Sequence, residues 1–575
     1  MTNKEIAAIL YEIADFLEMQ DVPFKPRAYQ RAAATVDSHP EELTDLYKKC
    51  GRECIDDLPG IGVSISEKIE ELIKTGRMKY YDSLKKKLPV AMHEMTQIES
   101  LGPKTIGKLY KKLKIRSIKD LEKAAKAGKI ARVPGFGKKT EDNILEGIGF
   151  VKSSRGRFLL GDILPVAESI VERMQKVEGV KHFEVAGSIR RRKETIGDMD
   201  FVTTTTKPKQ VIEAFTKLPE VKRVIDKGTS MVTVKFNNGA NGDLRIHKDA
   251  EYGSALLHFT GSKYHNIQLR SIAVKKNLKL SEYGLFKGKK FIAGRTEESV
   301  YKKLGMQMIP PEMRTATGEI EAAQAGQIPK LIEYGSIKGD LQIQTTWSDG
   351  ANSIEEMATA AKKLGLSYIA ITDHTRALAM AGGLKEADLA RQAKEIDKIN
   401  IKLRGFKILK SAEVNILKDG SLDIKDEALA RLDVVSVAVH SNFHLSEAEQ
   451  TERIIRAIKH PLVNILFHPT GHIIKGRPGY ALDINKIIKA AKQYHVALEV
   501  NAFPDRLDLR DIHIRLAVER KVKLVIDSDA HATKHLEYLD LGVAQARRGW
   551  AKRSDVLNTK SVTEFLTAIK KKRRA

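Results

Sequence analysis

Cysteine is nearly absent from this 575-residue chain, which holds only Cys50 and Cys54, one helical turn apart. That spacing closes no useful loop, so a disulfide framework is excluded and a reducing compartment is expected. With no histidine nearby, the pair makes no zinc site either. Aromatic residues are scarce at 6%. No run of about eighteen apolar residues appears, so no membrane span is expected. The opening MTNKEIAAILYEIADFLEMQ is amphipathic and interrupted by acids, unlike a signal peptide. A cytoplasmic protein is expected on these grounds. Acid is short as well: 74 Asp plus Glu against 99 Lys plus Arg leave a formal net charge of +25. An excess of that size favours a polyanionic partner, nucleic acid ahead of an acidic membrane surface.

The length calls for three or more domains, and the apolar share of 42% is ordinary for globular protein. Residues 4–87 read as short amphipathic helices broken by Pro and Gly, and lysine-rich helical patterning continues to about 150. Between 180 and 250 the rhythm becomes β: HFEVAGSI, DMDFVTTT, MVTVKF and GDLRIH are short strands near turn residues. Residues 255–310 are mixed and helical. The stretch PPEMRTATGEIEAAQAGQIP has the composition of a linker or transition. After it, apolar strands alternate with helices, as in an α/β barrel or doubly wound sheet. The tail KKKRRA reads as a frayed basic end.

A weak repeat marks the first 140 residues: LPGIG at 58–62, SLGPK at 100–104 and VPGFG at 133–137, each opening a helical pattern. A glycine turn leading into a helix N-terminus aims backbone N–H groups at an anion. Beside KTIGKLYKKLKIR, with its six basic and no acidic side chains, the repeat favours phosphate contact without base readout. It resembles the helix-hairpin-helix motif of non-sequence-specific DNA-binding proteins. Gly60, Gly62, Gly102, Lys104, Gly135 and Gly137 are the candidate backbone contacts.

In GSIRRRKETIGDMDF, residues 187–201, Asp198 and Asp200 lie two apart, which on a strand puts both carboxylates on one face, about 6.5 to 7 Å apart. Gly187, Ser188 and the arginine run bring donors and fixed cations near them. A third carboxylate, Asp243 in NGDLRIH, is expected to end another short strand that can pair alongside. Three carboxylates meeting on a sheet are a ligand set for two magnesium ions that neutralise a triphosphate and activate a hydroxyl.

These residues resemble the family X DNA polymerases, of the DNA polymerase beta type. GS followed by RRR and GDMD has the form of that family's nucleotidyltransferase signature. HFTGSKYHNIQLR at 258–270 and SEYGLF at 281–286 resemble its nucleotide-pocket motif. The resemblance covers residues 1–320 and implies that Asp198, Asp200 and Asp243 are the catalytic, Mg2+- or Mn2+-binding triad. It also implies triphosphate contacts from Gly187, Ser188, Arg191 and Gly197. His258 and Phe259 stand where the sugar is selected, and Asn266 and Arg270 match contacts to the nascent pair and template. His258 replaces the Tyr of the vertebrate enzyme, which leaves the basis of sugar selection open.

The N-terminal part resembles the family's lyase and 5′-phosphate-binding domain. Lys25 and Tyr29 in KPRAY, and Lys68 in LPGIGVSISEKI, match its functional positions. Lys68 corresponds to the Schiff-base lysine that removes an abasic sugar phosphate. Ser64 stands where the family often has a second lysine, so 5′-phosphate binding is expected ahead of lyase chemistry.

Ten of the sixteen histidines follow residue 340. Apolar strands there end in metal-competent side chains: SYIAITDH in Asp373 and His374, FKILKSAEVNI in Glu413, LDVVSVAVH in His440, VNILFHP in His468, and VKLVIDSDAH in Asp529 and His531. Side chains from successive strand ends converge on one face of a barrel, and imidazoles with carboxylates suit zinc or manganese. The pattern resembles the PHP (polymerase and histidinol phosphatase) domain, a distorted (β/α)7 barrel binding up to three metals. That family's first motif is His-x-His followed by Ser-Asp-Gly. Ser348, Asp349 and Gly350 are present here, but the His-x-His is Gln342-Ile343-Gln344. A barrel that folds, with a 3′-5′ exonuclease or abasic-site endonuclease activity weakened, altered or lost, is the expectation.

The combined expectation is a multidomain α+β and α/β chain: 1–88 a lyase-like helical domain, 89–150 helix-hairpin-helix fingers, 151–255 a nucleotidyltransferase palm, 256–318 a thumb-like domain, 319–335 a linker and 336–575 the PHP domain. It implies a monomer that fills short gaps in DNA repair, on gapped or nicked DNA with dNTPs. Two alternatives stay open: a template-independent nucleotidyltransferase such as a tRNA-end adding enzyme, and a nuclease that uses the front part as a DNA-binding platform.

Overall fold

The computed structural model describes residues 1–39, 42–58, 60–96, 98, 101–153 and 156–570. Parts of LPGIG, SLGPK and the basic tail lie outside them. Among the described residues no helix is long and apolar enough to cross a membrane.

The first 150 residues are helices around one apolar cluster that runs from Ile6 to Ile148. All three repeats lead from a glycine turn into a helix. Gly62 is the N-cap of Val63–Thr75 and Gly102 that of Pro103–Leu113. The Gly137 carbonyl accepts from Thr140 and Glu141 N–H as Lys138–Ser153 begins. Gly60 (φ 77°) and Gly135 (φ 88°) stand in the left-handed region at the same place in their turns. The cysteine expectation is corrected here. Helix Leu43–Cys50 ends at Gly51, φ 70°, and the chain turns back into Glu53–Asp56, so Cys54 returns to Cys50 as a disulfide. It fastens a single turn and builds no framework.

The palm is a five-stranded sheet in the order Val180–Val185, Asp198–Thr205, Asn241–His247, Met231–Phe236, Val221–Lys227, parallel only between the second and third. Alternation along these strands buries Phe183, Phe201 and Phe236 with Phe215 of helix Pro208–Thr216, stacked edge to face or tilted. The opposite periodicity leaves the acids of DMD outside this core.

A buried ion cluster ties palm to thumb. Glu297 receives two hydrogen bonds from Arg190, at 2.9 and 2.7 Å, and one from Arg314 at 2.6 Å. Burial alone would raise its pKa, but the Arg314 and Arg190 charges outweigh this and hold it at about 2. A depressed carboxylate contributes stability that is fully present above the unfolded value of 4.5 and is lost as pH falls toward about 2. Glu297→Gln should leave two buried guanidinium groups without their counter-charge and lower stability by about 3 kcal/mol. Denaturant unfolding at pH 7 checks this, and the deficit should shrink below pH 4.

The segment 319–335, expected as a linker, is instead a packed connection. Helix Glu319–Gln324 buries Ile320 and Ala323 in the thumb cluster, and Glu319 accepts from His265 Nδ1 at 2.8 Å.

Seven parallel strand positions then close a barrel: Gly339–Ile343, Tyr368–Ile371, Lys407–Asn415 (interrupted at 411–412), Ser436–Ala438, Ile465–Leu466, Ala497–Asn501 and Leu524–Asp527. The ends meet where Gln344 N–H donates to Ala530 and Ala530 N–H to Gln342. Helix Val562–Lys570 plugs the bottom, with Phe565 stacked on Tyr368. Leu507 and Leu541 of this domain join the palm core, and Trp550 joins the thumb core.

Candidate functional site

In the palm, Asp200 and Asp243 are direct neighbours in the parallel register, and Asp198 lies one step outward, opposite Asn241. Asp243 thus stands near the start of its strand, not its end as expected. Thr233 donates to Asp243 at 2.6 Å and Arg245 at 3.0 Å. Burial, then the Asp198 and Asp243 charges, push Asp200 up to about 7. Three acids crowded to that degree form a site whose repulsion a divalent cation relieves, so the donor set fits Mg2+ or Mn2+.

Gly187 packs its backbone against Asp200, where a Cβ would collide with the carboxylate. From there the short helix Gly187–Arg190 leads away. A cleft of about 500 Å³ opens here, lined by Gly187, Ser188, Arg191, Gly197, Asp198, Asp200, His258, Phe259, Asn266 and Arg270. All ten sequence candidates assigned to the palm and thumb pocket, apart from Asp243, therefore meet on one cavity. Arg157, Lys193 and Lys263 also line it; the two lysines lie inside the quoted motifs, unassigned beside their neighbours, and Arg157 lies outside any motif. The arginine run divides its labour, contrary to the reading of it as cations beside the acids. Arg191 alone lines the cleft, Arg190 turns to Glu297, and Arg192 lies 3.5 Å from Glu168. Burial and the Arg548 charge lower Arg191 to about 10. Asn266 Nδ2 donates to the His258 carbonyl at 2.7 Å, fixing the pocket wall. The Arg245 guanidinium lies 5.2 Å from the Phe259 ring, joining the Asp243 partner to the same wall.

In the N-terminal domain, Gly60, Gly62, Gly102, Gly135 and Gly137 are exposed, as are Lys25 and Lys104. Tyr29 is different: it is 6% exposed and stacked on Tyr80. Lys68 Nζ lies 5.4 Å from the Tyr80 ring and donates to the Ser64 carbonyl and hydroxyl at 2.6 and 2.8 Å.

At the barrel mouth all seven expected residues converge. Glu413 is the hub: His468 Nε2 is 2.8 Å away, His440 Nε2 3.0 Å and His374 Nδ1 3.4 Å. Burial would raise Glu413, but the His374 and His440 charges and the histidine hydrogen bonds hold it well below the usual range. Asp349, His374 and His531 each bring a ligand atom within 4.8 Å of the others, and so do His374, Glu413 and His440. These two groups fit zinc or manganese. Asp529 sits 3.2 Å from Arg506 and accepts from Asn501 at 3.0 Å. Asp373 is no ligand. It accepts from the Thr345 and Ser348 N–H groups and shapes the Ser-Asp-Gly turn.

Gln342 and Gln344 are fully buried on the mouth-facing side of the first strand. Gln344 Nε2 donates to Glu413 at 2.9 Å, and Gln342 Oε1 accepts from Asn501 at 3.1 Å. Reversing the Gln344 amide would turn its oxygen toward an anion. Gln344 thus meets Glu413 with an N–H, while its buried Oε1 has no hydrogen-bond partner among the described residues.

Comparison with known proteins agrees with this geometry. Residues 1–78 match the model for a helix-hairpin-helix domain, 92–149 a SAM-like helix-hairpin-helix tandem, 255–315 the DNA polymerase beta thumb and 340–503 the PHP domain. Over 576 residues the chain is 38% identical to the DNA polymerase/3′-5′ exonuclease PolX of Bacillus subtilis (strain 168), covering 99% of this chain and 100% of that protein. Shorter stretches resemble probable phosphatases: 32% over 233 residues in Thermoanaerobacter sp. (strain X514), 38% of this chain and 90% of that protein, and 34% over 188 residues in Acetivibrio thermocellus, 31% and 73%. The chain belongs to the family X DNA polymerases that carry a C-terminal PHP domain.

Proposed function

We propose that this chain is a template-directed polymerase that fills short gaps during DNA repair, transferring dNMP to a primer 3′-hydroxyl. The observation that carries this reading is the Asp198, Asp200, Asp243 cluster opening on a cleft that Ser188, Arg191 and Asn266 also line. Asp198, Asp200 and Asp243 would hold two Mg2+ or Mn2+ ions, which would supply charge neutralisation for the triphosphate and activation of the attacking hydroxyl. Asp243, oriented by Thr233 and Arg245, is placed to take the primer proton. Ser188, Arg191 and Gly197 receive the triphosphate; His258 and Phe259 wall the sugar; Asn266 and Arg270 face the base pair. The helix-hairpin-helix turns grip the backbone on both sides of the gap, and the protein works as a monomer. Purified protein offered a gapped duplex and a tRNA 3′ end should extend only the duplex; equal addition to both would favour the template-independent reading.

The barrel, with Asp349, His374, Glu413, His440, His468, Asp529 and His531 at its mouth, is a phosphodiesterase module acting on 3′ ends. Its zinc or manganese, when bound, supplies an activated water. With amides at Gln342 and Gln344 in place of imidazoles, its degradation of a 3′ end should be slower than polymerisation.

Lys68 serves 5′-phosphate binding. Its amine is engaged by Ser64, so borohydride trapping on an abasic substrate should give the same faint signal in wild type and in Lys68→Ala. A strong adduct lost only in Lys68→Ala would establish lyase chemistry.

A further inference from the structure

The polymerase cleft has a back wall, and the barrel domain supplies it. The loop 191–197 joins the short helix of Ser188 to the strand of Asp198 and Asp200. Arg548, at the end of helix Leu539–Arg548 and 3% exposed, donates from Nη1 to the Arg191 carbonyl at 3.1 Å. Its Nη2 is held by Asp511 of the same domain. One turn earlier, Gln545 Nε2 donates to Glu194 at 2.8 Å. Beside the same segment, Lys475 Nζ donates to the Arg157 carbonyl at 2.6 Å. Arg157 in turn donates to Thr195 of the same loop, through Nε to the hydroxyl at 2.8 Å and through Nη2 to the carbonyl. The domain whose mouth carries the histidine cluster thus grips the main chain of Arg191 and Arg157, both of which line the cleft.

We infer that Arg548 and Lys475 are positioning residues of the polymerase site, and that the barrel is a structural part of the triphosphate pocket whether or not its own site is active. The inference rests on the reading of this cleft as the nucleotide site. Two carbonyls turned back toward barrel cations fix the direction in which Ser188, Arg191 and the adjoining N–H groups face the cleft. Released, the loop can turn those groups away from the phosphates, and binding energy is lost before chemistry begins. The contacts made by Arg190 to Glu297 stay in place, so the palm and thumb remain joined. Loss should therefore fall on nucleotide affinity, with the arrangement of the three acids retained.

The test uses the full chain on gapped DNA with Mg2+. Arg548→Met should raise the KM for dNTP about tenfold with kcat changed less than about threefold. Lys475→Met, at a less buried position, should raise KM about threefold, and Arg548→Lys should fall between wild type and Arg548→Met. Arg520→Met is the control: among the described residues that exposed arginine's side chain bonds to Asn485 within the barrel, and both constants should stay at wild type. Asp200→Asn run alongside separates the two readings. If Asp200→Asn keeps incorporation, the nucleotide site itself is misassigned. If Asp200→Asn loses it while KM is unchanged in Arg548→Met, or kcat alone falls, the positioning role is overturned. Should Arg548→Met fail to fold, Lys475→Met decides on the same criterion.

Discussion

Asp198→Ala combined with Asp200→Ala should lower dNMP incorporation at least about a thousandfold while gapped-DNA affinity stays within a factor of about two. The asymmetry follows from where the groups lie. Asp200 is pushed to about 7 by burial and by its two acidic neighbours, so its carboxylate is costly to keep unless cations share the site. Removing two of the three acids removes the cation ligands and the reason for the crowding at once. The glycine turns at 60–62, 102 and 135–137 belong to a separate apolar cluster, so DNA should still be gripped. Single-turnover extension and fluorescence anisotropy on one substrate read the two effects independently. Incorporation that survives the double change would place the chemistry elsewhere.

The second large effect concerns the barrel. Gln342→His with Gln344→His should raise its metal content by one ion per chain, read by elemental analysis after dialysis against Mn2+, and speed 3′-end degradation about a hundredfold. The amides stand on the first strand facing Glu413 and Asn501, so imidazoles there would point lone pairs at the place where an N–H now meets a carboxylate. The competing outcome has a named cause. Arg506 lies 3.2 Å from Asp529, and if its guanidinium holds that corner, metal content will not rise until Arg506 is also replaced.

Much of this was legible in the sequence, and the reasons differ by element. The Asp198, Asp200 pair was readable because a strand repeats every two residues and the motif lies within fifteen positions. The barrel mouth was readable because most of its histidines and acids stand at or just beyond the end of an apolar strand. The two amides were visible as an exception to that pattern, and both are fully buried beside Glu413 and Asn501. What sequence hid was mostly distant pairing. Nothing local marks Arg548 as the partner of the Arg191 carbonyl, 357 residues away, or Lys475 as that of Arg157, 318 away. Arg190 and Arg191 look equivalent in RRR, yet one is drawn to a buried glutamate and the other to the cleft. Residues 319–335 have linker composition, but Glu319, Ile320 and Ala323 are buried by thumb side chains that composition does not reveal. For Cys50 and Cys54 the missed feature was Gly51, which ends the helix and turns one sulfur back on the other.

The central claim is template-ordered chemistry at the palm acids, and one measurement meets it directly. Purified full-length protein is given a duplex with a one-nucleotide gap, a 5′-phosphate and Mg2+, with each dNTP supplied singly against each of the four template bases. The account expects the primer to grow by one residue only where the incoming base is complementary. Extension indifferent to the template base, or none with wild-type protein under these conditions, would contradict it.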